Sequence, residues 1–340
     1  MRTVNKMSET TCGVGIVGMD HWYIAFMALE ELGPQTKYPV VAVADHESWR
    51  LDAICDKCSC LRTTEFDRVL EHPNIGLIVS MVNSAENPDI CRKALANGKH
   101  VLSVKPPAMN PDDLDRIIYA ANEQGRWFGS FESYRRLLGR YIRAREILLS
   151  GRIGSLVTYH QTTHAGLPQS WSGKQDSGWW LDPEKVCGGA WIDHGIYGTD
   201  MARWLFGEQV SSISATMTVR RFKDLPFEDY GVAILEFPCG GTAVLEDSWV
   251  AVDFAGSEWI IGTHGSIRID GQAFGNNPVV ITFSEKEEIV AQDEEKSFVN
   301  LCKGLFEENS LPFGPEDSRE NLAVCLAAYR SAEERVAVGL

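Results

Sequence analysis

The run Gly188-Gly189-Ala190-Trp191-Ile192-Asp193-His194-Gly195-Ile196-Tyr197-Gly198-Thr199-Asp200 joins a double glycine, where the backbone can turn sharply, to a segment that reads as a helix. Asp193, Tyr197 and Asp200 fall at i, i+4 and i+7, which places them on one helical face. Two carboxylates and a phenol on one face are poor core material. They suit holding and titrating a hydroxyl group. Far upstream, His100-Val101-Leu102-Ser103-Val104-Lys105-Pro106 puts a lysine at the end of an apolar strand. Proline has no N–H, so it ends the ladder there and aims the lysine. An ammonium at that point can polarise an oxygen and draw a nearby phenol down from its ordinary pKa of about 10. The chemistry this implies is proton exchange with a substrate hydroxyl by Tyr197, assisted by Lys105 and oriented by Asp193. Taken alone, Lys105 also reads as an ordinary solvated lysine.

A second group of residues could hold a dinucleotide. Gly18-Met19-Asp20-His21-Trp22-Tyr23 follows an apolar run and opens a helix, where a pyrophosphate would meet the helix N-terminus. It departs from the G-x-G-x-x-G fingerprint, because Asp20 and Tyr23 occupy the second and third glycine positions. Asp20 would repel a pyrophosphate unless turned away. Asp45 lies 27 residues after Gly18, at the end of a β-branched run. A carboxylate there accepts hydrogen bonds from ribose hydroxyls and repels a 2′-phosphate, which favours NAD over NADP. Asp45 reads equally as a helix cap. Trp171, Trp179, Trp180, Trp191 and Trp204 flank the double glycine; one or two could line a sugar or polyol pocket, and the rest pack the core. His160 and His164, near a strand end, could touch substrate or cap a loop.

These residues need a frame. Over residues 11–133, apolar runs at Gly13–Gly18, Tyr38–Ala44, Ile75–Val82, His100–Val104 and Trp127–Glu132 alternate with helical segments. That predicts a doubly wound parallel sheet with helices on both faces, in which ligands sit beyond the carboxyl ends of the strands. Residues 134–340 change character. Ser155–Thr163, Gln209–Arg220, Gly231–Phe237, Gly241–Val250, Glu258–Ile261, Ser266–Ile269 and Val279–Phe283 alternate apolar with polar, predicting a large, mostly antiparallel open sheet. Helices are expected at Tyr141–Leu149 and Ser318–Val336. Residues 1–10 read as a disordered tail.

The 340 residues suffice for two domains with real cores. A net charge of −15 excludes a basic field for nucleic acid or anionic membranes. No apolar run is long enough to span a bilayer, and the polar start lacks the apolar core of a secretion signal. Nine scattered cysteines suit reduced thiols in a cytoplasm. Cys55-Asp56-Lys57-Cys58 lacks the second pair that a metal site needs, so no metal is expected.

Together the motifs resemble the glucose–fructose oxidoreductase / inositol dehydrogenase / rhizopine-catabolism family of nicotinamide-dependent dehydrogenases. The resemblance rests on Gly98 to Leu102 with Lys105-Pro106, on Ser150 to Gly154, and on Trp179 to Pro183. It continues through Gly188 to Asp200, Ala202 to Gly207, and Gly262 to Ser266. It implies a Rossmann domain, a second domain whose open sheet makes homodimers or homotetramers, and hydride transfer between NAD(P) and a small polyhydroxylated substrate. Lys105 matches the lysine of the family's Glu-Lys-Pro motif, and Asp193 the first residue of Asp-x-Gly-x-His. Tyr197 stands where many members carry histidine and some carry tyrosine. Gly18, Met19, Asp20, His21, Asp45, Ser80, Met81, Asn83, Lys105 and Trp180 become the cofactor contacts. His160, His164, Trp179, Asp193 and His194 become the substrate contacts. The chain departs from the pattern at Val104, Asp20 and Tyr23, and at Met81-Val82-Asn83, where Thr-Pro-Asn is common. Two other uses of such a fold stay open. One is an enzyme that retains NAD and couples oxidation to elimination or cleavage. The other is a non-catalytic sugar- or NAD-binding regulator.

Overall fold

The computed structural model describes residues 13–270, 279–283, 286–290 and 296–340. The expected N-terminal tail and Cys12 lie outside them. The chain opens with β1 (Gly13–Val17), α1 (Trp22–Glu31), β2 (Val40–Ala44), α2 (Ser48–Ala53), β3 (Leu61–Thr63), α3 (Phe66–Leu70) and β4 (Ile75–Ser80). It continues through α4 (Asn87–Ala96), β5 (His100–Ser103), α5 (Pro111–Gln124) and β6 (Phe128–Ser130). These strands form one six-stranded sheet in the order β3-β2-β1-β4-β5-β6, every neighbour parallel. Every residue of β1 is buried, as a strand covered on both faces requires. Asn110 caps α5 by accepting from the Asp113 N–H, with Pro111 in the first turn.

The expected strand Trp127–Glu132 is only three residues long. The chain then winds into a 3-10 helix, Phe131–Leu137, which delivers Arg135 and Arg136 to buried carboxylates farther along the chain. After α6 (Gly139–Leu149) and β7 (Leu156–His164), a short 3-10 turn (Gly178–Leu181) leads to a π-helix at Trp191–Gly195. That π-helix runs straight into α7 (Ile196–Phe206). Strands β8 (Ser212–Thr218), β9 (Tyr230–Glu236), β10 (Thr242–Ser248), β11 (Ala255–Gly262), β12 (Ser266–Asp270), β13 (Val279–Phe283) and β14 (Lys286–Val290) follow. Then come α8 (Ser297–Lys303), α9 (Pro315–Glu334) and β15 (Val338–Gly339).

The second sheet has nine strands in the order β14-β13-β12-β11-β7-β10-β9-β8-β15. It is antiparallel except where β10 lies parallel to β7. One face carries the helices. The other carries a row in cross-strand register, Ile234, Val244, His160, Trp259 and Arg268, that no helix covers completely; Ile234 is 45% exposed.

The double glycine works by closeness rather than by a turn. Neither glycine adopts positive φ. A Cβ on Gly189 would lie 2.2 Å from the Glu228 carbonyl oxygen. The bare backbone instead lets the buried Glu228 carboxylate accept from the N–H groups of Gly189 and Trp191, and from the Tyr329 hydroxyl at 2.8 Å. That carboxyl group sits where the π-helix begins and satisfies its first donors. Cys58 and Cys60 are bonded to each other, against the expectation that all nine thiols are reduced. Among the described residues, no helix is long and apolar enough to cross a membrane.

Candidate active site

Both clusters of chemical residues lie at the carboxyl ends of the parallel strands. The Gly18 φ is +79°, and a Cβ there would lie 2.4 Å from a Val82 methyl carbon, so only glycine lets β1 leave the sheet here. Helix α1 then starts without a side-chain cap, and its first N–H groups are open to an anion. Beside it a cavity of about 340 Å³ is lined by Gly18, Asp20, Asp45, Arg50, Asn83 and Trp179, among others. Asp20 is turned away from the helix start. Its carboxylate accepts from the Asn83 N–H at 2.9 Å and from Arg50 Nη1 at 2.9 Å. Asp45 accepts from the Met19 N–H at 2.7 Å and the Glu47 N–H at 2.8 Å, with Arg50 at 3.3 Å. Burial raises the Asp45 pKa, with Arg50 opposing. The positive-φ glycine, the uncapped helix and the acidic end of β2 fit a dinucleotide. The damaged fingerprint does not stop them, because Arg50 offsets the intruding Asp20.

Four predicted cofactor contacts are wholly inside the protein. Met19, Ser80 and Met81 are fully buried and can offer backbone only. His21 is also buried, its ring 4.9 Å from both Trp179 and Trp180. Burial, reinforced by Lys105, lowers it to about 3, so it is neutral. Trp179 stacks on Trp180 at 4.2 Å and donates from Nε1 to the Asp20 carbonyl.

The second cluster joins the two halves of the chain. Lys105, beyond β5 and only 1% exposed, donates from Nζ to the Asp193 carbonyl and to Asp193 Oδ1. Its ammonium sits 4.9 Å from the Trp180 ring and 5.2 Å from the Tyr197 ring. Asp193 Oδ2 accepts from Trp249 Nε1 at 2.9 Å, and His194 Nε2 stands 3.5 Å away. Burial opposes ionisation of Asp193, but His194 and Lys105 outweigh it and hold the carboxyl at about 2. His194 is lowered to about 4, chiefly by burial, with Lys105, Arg135 and His164 adding to it. His164 pairs with the Ser248 hydroxyl at 2.8 Å.

Tyr197 is 4% exposed and meets the Tyr134 ring edge-on at 5.9 Å. Its pKa moves up, not down. Burial raises it well above the ordinary phenol, Tyr23, Tyr134 and Asp193 add to this, and Arg135 opposes. The expectation that Lys105 draws the phenol toward neutral pH therefore fails. Its ammonium is committed to Asp193 and faces the ring, so Tyr197 is a neutral phenol.

Two other expectations are corrected by geometry. Asp200 does not share the site with Asp193 and Tyr197. It lies about 10 Å farther along the axis than Asp193, across the π-turn, and about 4.5 Å beyond Tyr197 in α7. There it is fully buried and bonded to Arg136, to the Ser133 hydroxyl at 2.7 Å and to Asn321 at 2.9 Å. His160 lies on the sheet face opposite Tyr159 and Gln161, and is not brought to Lys105.

Sequence reasoning missed the wall behind Tyr197. Arg135 lies 5.1 Å from its ring and bonds Gln161 at 3.0 Å and Glu258 at 3.2 Å. The hydroxyls of Tyr141 and Tyr159 both donate to Glu258. Trp249 and Asp247 were missed as well. Their signal was the polar end of an alternating strand, Glu246-Asp247-Ser248-Trp249.

Residues 11–131 match the model of an oxidoreductase family with an NAD-binding Rossmann fold, and residues 141–268 match that of the GFO/IDH/MocA C-terminal domain. A myo-inositol 2-dehydrogenase of Thermotoga maritima is 24% identical, over 96% of this chain and 98% of that protein. The aldose-aldose oxidoreductase of Caulobacter crescentus, crystallised with glycerol, superimposes with a TM-score of 0.83 at 21% identity, covering 97% of this chain and all of that one. An oxidoreductase of Agrobacterium radiobacter, crystallised with NAD+, L-tartaric acid and magnesium, gives 0.81 at 16% identity, covering 97% and 98%.

Proposed function

Because the chain belongs to the GFO/IDH/MocA family of NAD-binding oxidoreductases, we propose that it moves a hydride between NAD and a hydroxyl-bearing carbon of a sugar, cyclitol or related polyol. One observation carries this reading. A lysine from the parallel sheet and an Asp–Tyr pair from the π/α7 helix meet next to Trp180, whose stacking partner Trp179 lines the cavity. Bound NAD supplies the hydride acceptor. Gly18, the start of α1 and Asp45 would hold it. The Asp45 carboxylate supports NAD over its 2′-phosphorylated form.

The remaining work belongs to the protein. Lys105, steadied by Asp193, presents a positive charge to the substrate oxygen. Tyr197, protonated in its buried setting, gives that oxygen its proton when a carbonyl is reduced. Oxidation runs the same proton transfer in reverse, from the substrate hydroxyl to Tyr197. His194 and His164 are the groups we assign to further hydroxyls of the substrate. We further assign the open face of the nine-stranded sheet to contact with a second copy of the chain.

A melting titration with NAD and NADP tests the first step, since a ligand of the folded state stabilises it by about 2.7 kcal/mol at a hundredfold excess over Kd. A panel of inositols, aldoses and their keto forms, followed by NADH absorbance, tests the second. NAD is expected to raise the melting temperature more than NADP does. If neither dinucleotide changes it, the reading is wrong.

A further inference from the structure

Asp247 is fully buried near the end of β10, and neither of its carboxylate oxygens has a hydrogen-bond partner. An orphaned buried carboxylate is costly, so its surroundings must explain it. Across β9 its register partner is Gly231, which has no side chain, and Trp191 of the π-helix packs over that glycine. Asp247 thus lies beneath the π-helix. His194 Nδ1, also unpartnered, is 3.9 Å from Asp247 Oδ1. On the far side of the same ring, Nε2 is 3.5 Å from Asp193 Oδ2. Asp193 Oδ1 in turn holds Lys105.

Four groups therefore run in a line from the sheet to the lysine, and with the His194 ring neutral one arrangement of donors pairs every group along it. Asp193 is anionic and only accepts, so the Nε2 facing it carries the ring proton. In a neutral imidazole, Nδ1 is then a lone-pair acceptor. Asp247 faces that lone pair, and only a protonated carboxyl can donate to it. We propose that Asp247 is a positioning residue: it remains a carboxylic acid, donates to His194 Nδ1, and fixes the Nε2–H tautomer that braces Asp193 against Lys105. Both separations are longer than closed hydrogen bonds, and movement of about 1 Å closes them. The electrostatics agree. Burial and the Asp193 charge, with Glu246, raise the Asp247 carboxyl well above its ordinary value; Arg135 and Lys105 pull the other way and are outweighed. The groups facing His194 are Asp193, Lys105, Arg135, His164 and Asp247, and the ring stays neutral among them.

The inference rests on the role given above to the Lys105–Asp193 pair, but its test needs no turnover. Nitrogen-15 NMR of the histidine rings in the whole protein, with His194 identified by comparison with His194→Gln, reads the tautomer directly. The wild type is expected to show Nε2–H. Asp247→Asn keeps a donor for Nδ1 and retains that tautomer, whereas Asp247→Leu loses the preference. Once a substrate is in hand, Asp247→Leu lowers kcat by up to about 10²-fold, the cost of a misplacement of about 1 Å, and Asp247→Asn recovers most of it. An Nδ1–H or doubly protonated His194 in the wild type overturns the proposal. So does an Asp247→Asn spectrum matching that of Asp247→Leu, or a folded Asp247→Leu with the wild-type spectrum. If Asp247→Leu does not fold, the Asp247→Asn spectrum decides alone: Nε2–H supports the proposal, and any other form overturns it. Lack of activity on every polyol would defeat the functional reading and leave this tautomer result intact.

Discussion

Replacing Lys105 by methionine keeps most of the buried stem and removes the ammonium. In the intact protein Lys105 and Asp193 have side chains 1% and 6% exposed, so solvent barely screens the pair. The Asp193 carboxyl sits at about 2 instead of 3.8. That depression corresponds to about 2 kcal/mol of folding stability, present above pH 3.8 and lost as pH falls toward 2. Without the ammonium, Asp193 keeps only His194 and Trp249 against the burial that opposes its ionisation, and breaking a buried pair costs about 3–5 kcal/mol. The Asp193 pKa then moves up from its depressed value. The stabilising depression shrinks, so Lys105→Met loses less stability than wild type as the pH is lowered through the carboxylate range, and the gap between the two narrows. Urea unfolding followed by tryptophan fluorescence measures this at neutral and at mildly acidic pH. The double variant Lys105→Met/Asp193→Leu has neither charge and is expected to regain at least half of the loss. A single variant within about 1 kcal/mol of wild type would refute the reasoning, as would a double variant no better than the single one.

Tyr197→Phe should fold normally, bind NAD as before and lose about 10²- to 10⁴-fold in kcat, measured as NADH turnover on the best polyol found. Unchanged turnover would remove Tyr197 from the chemistry. Glu132 is fully buried, and burial, aided by Asp200, pushes its carboxyl up to about 7 from 4.5. Its neutral form is the stable one, so that contribution is present below pH 4.5 and lost as pH rises to about 7. Glu132→Gln should therefore gain on wild type across that window by up to about 3 kcal/mol, read from paired urea curves. A gap that stays flat with pH would contradict the buried, protonated assignment. Ile234→Glu puts a charge at the exposed end of the open sheet row, and analytical ultracentrifugation should show a smaller species than wild type. A wild type that already sediments as a monomer would refute the assignment of that face.

The parallel half was legible because its strands, covered on both sides, spell unbroken apolar runs. β3 and β15, with three and two residues, were not, since so short a strand exists only because a neighbour pairs with it. Lys105, Asp193 and Tyr197 could be chosen from residue type and motif. The protonation state of Tyr197 could not, because Tyr23 and Tyr134 reach it from distant segments. Arg135 was invisible for the same reason: its partner Glu258 lies 123 residues away. His160 could be placed on one parity of β7. Which parity faces the helices is decided by how Gln161 packs against Gly198, a tertiary fact.

The widened turn at Trp191–Gly195 has a bearing on how kindred chains are compared. A bulge of this kind equals one inserted residue, and removing it would swing whatever precedes it by roughly 100° relative to α7. The interval between Asp193 and Tyr197 is therefore a property of the bulge as much as of the two side chains. A chain that lost a residue here would keep both letters and separate their functions. One that gained a residue would need its acid–base group in a different alignment column to reach the same point in space.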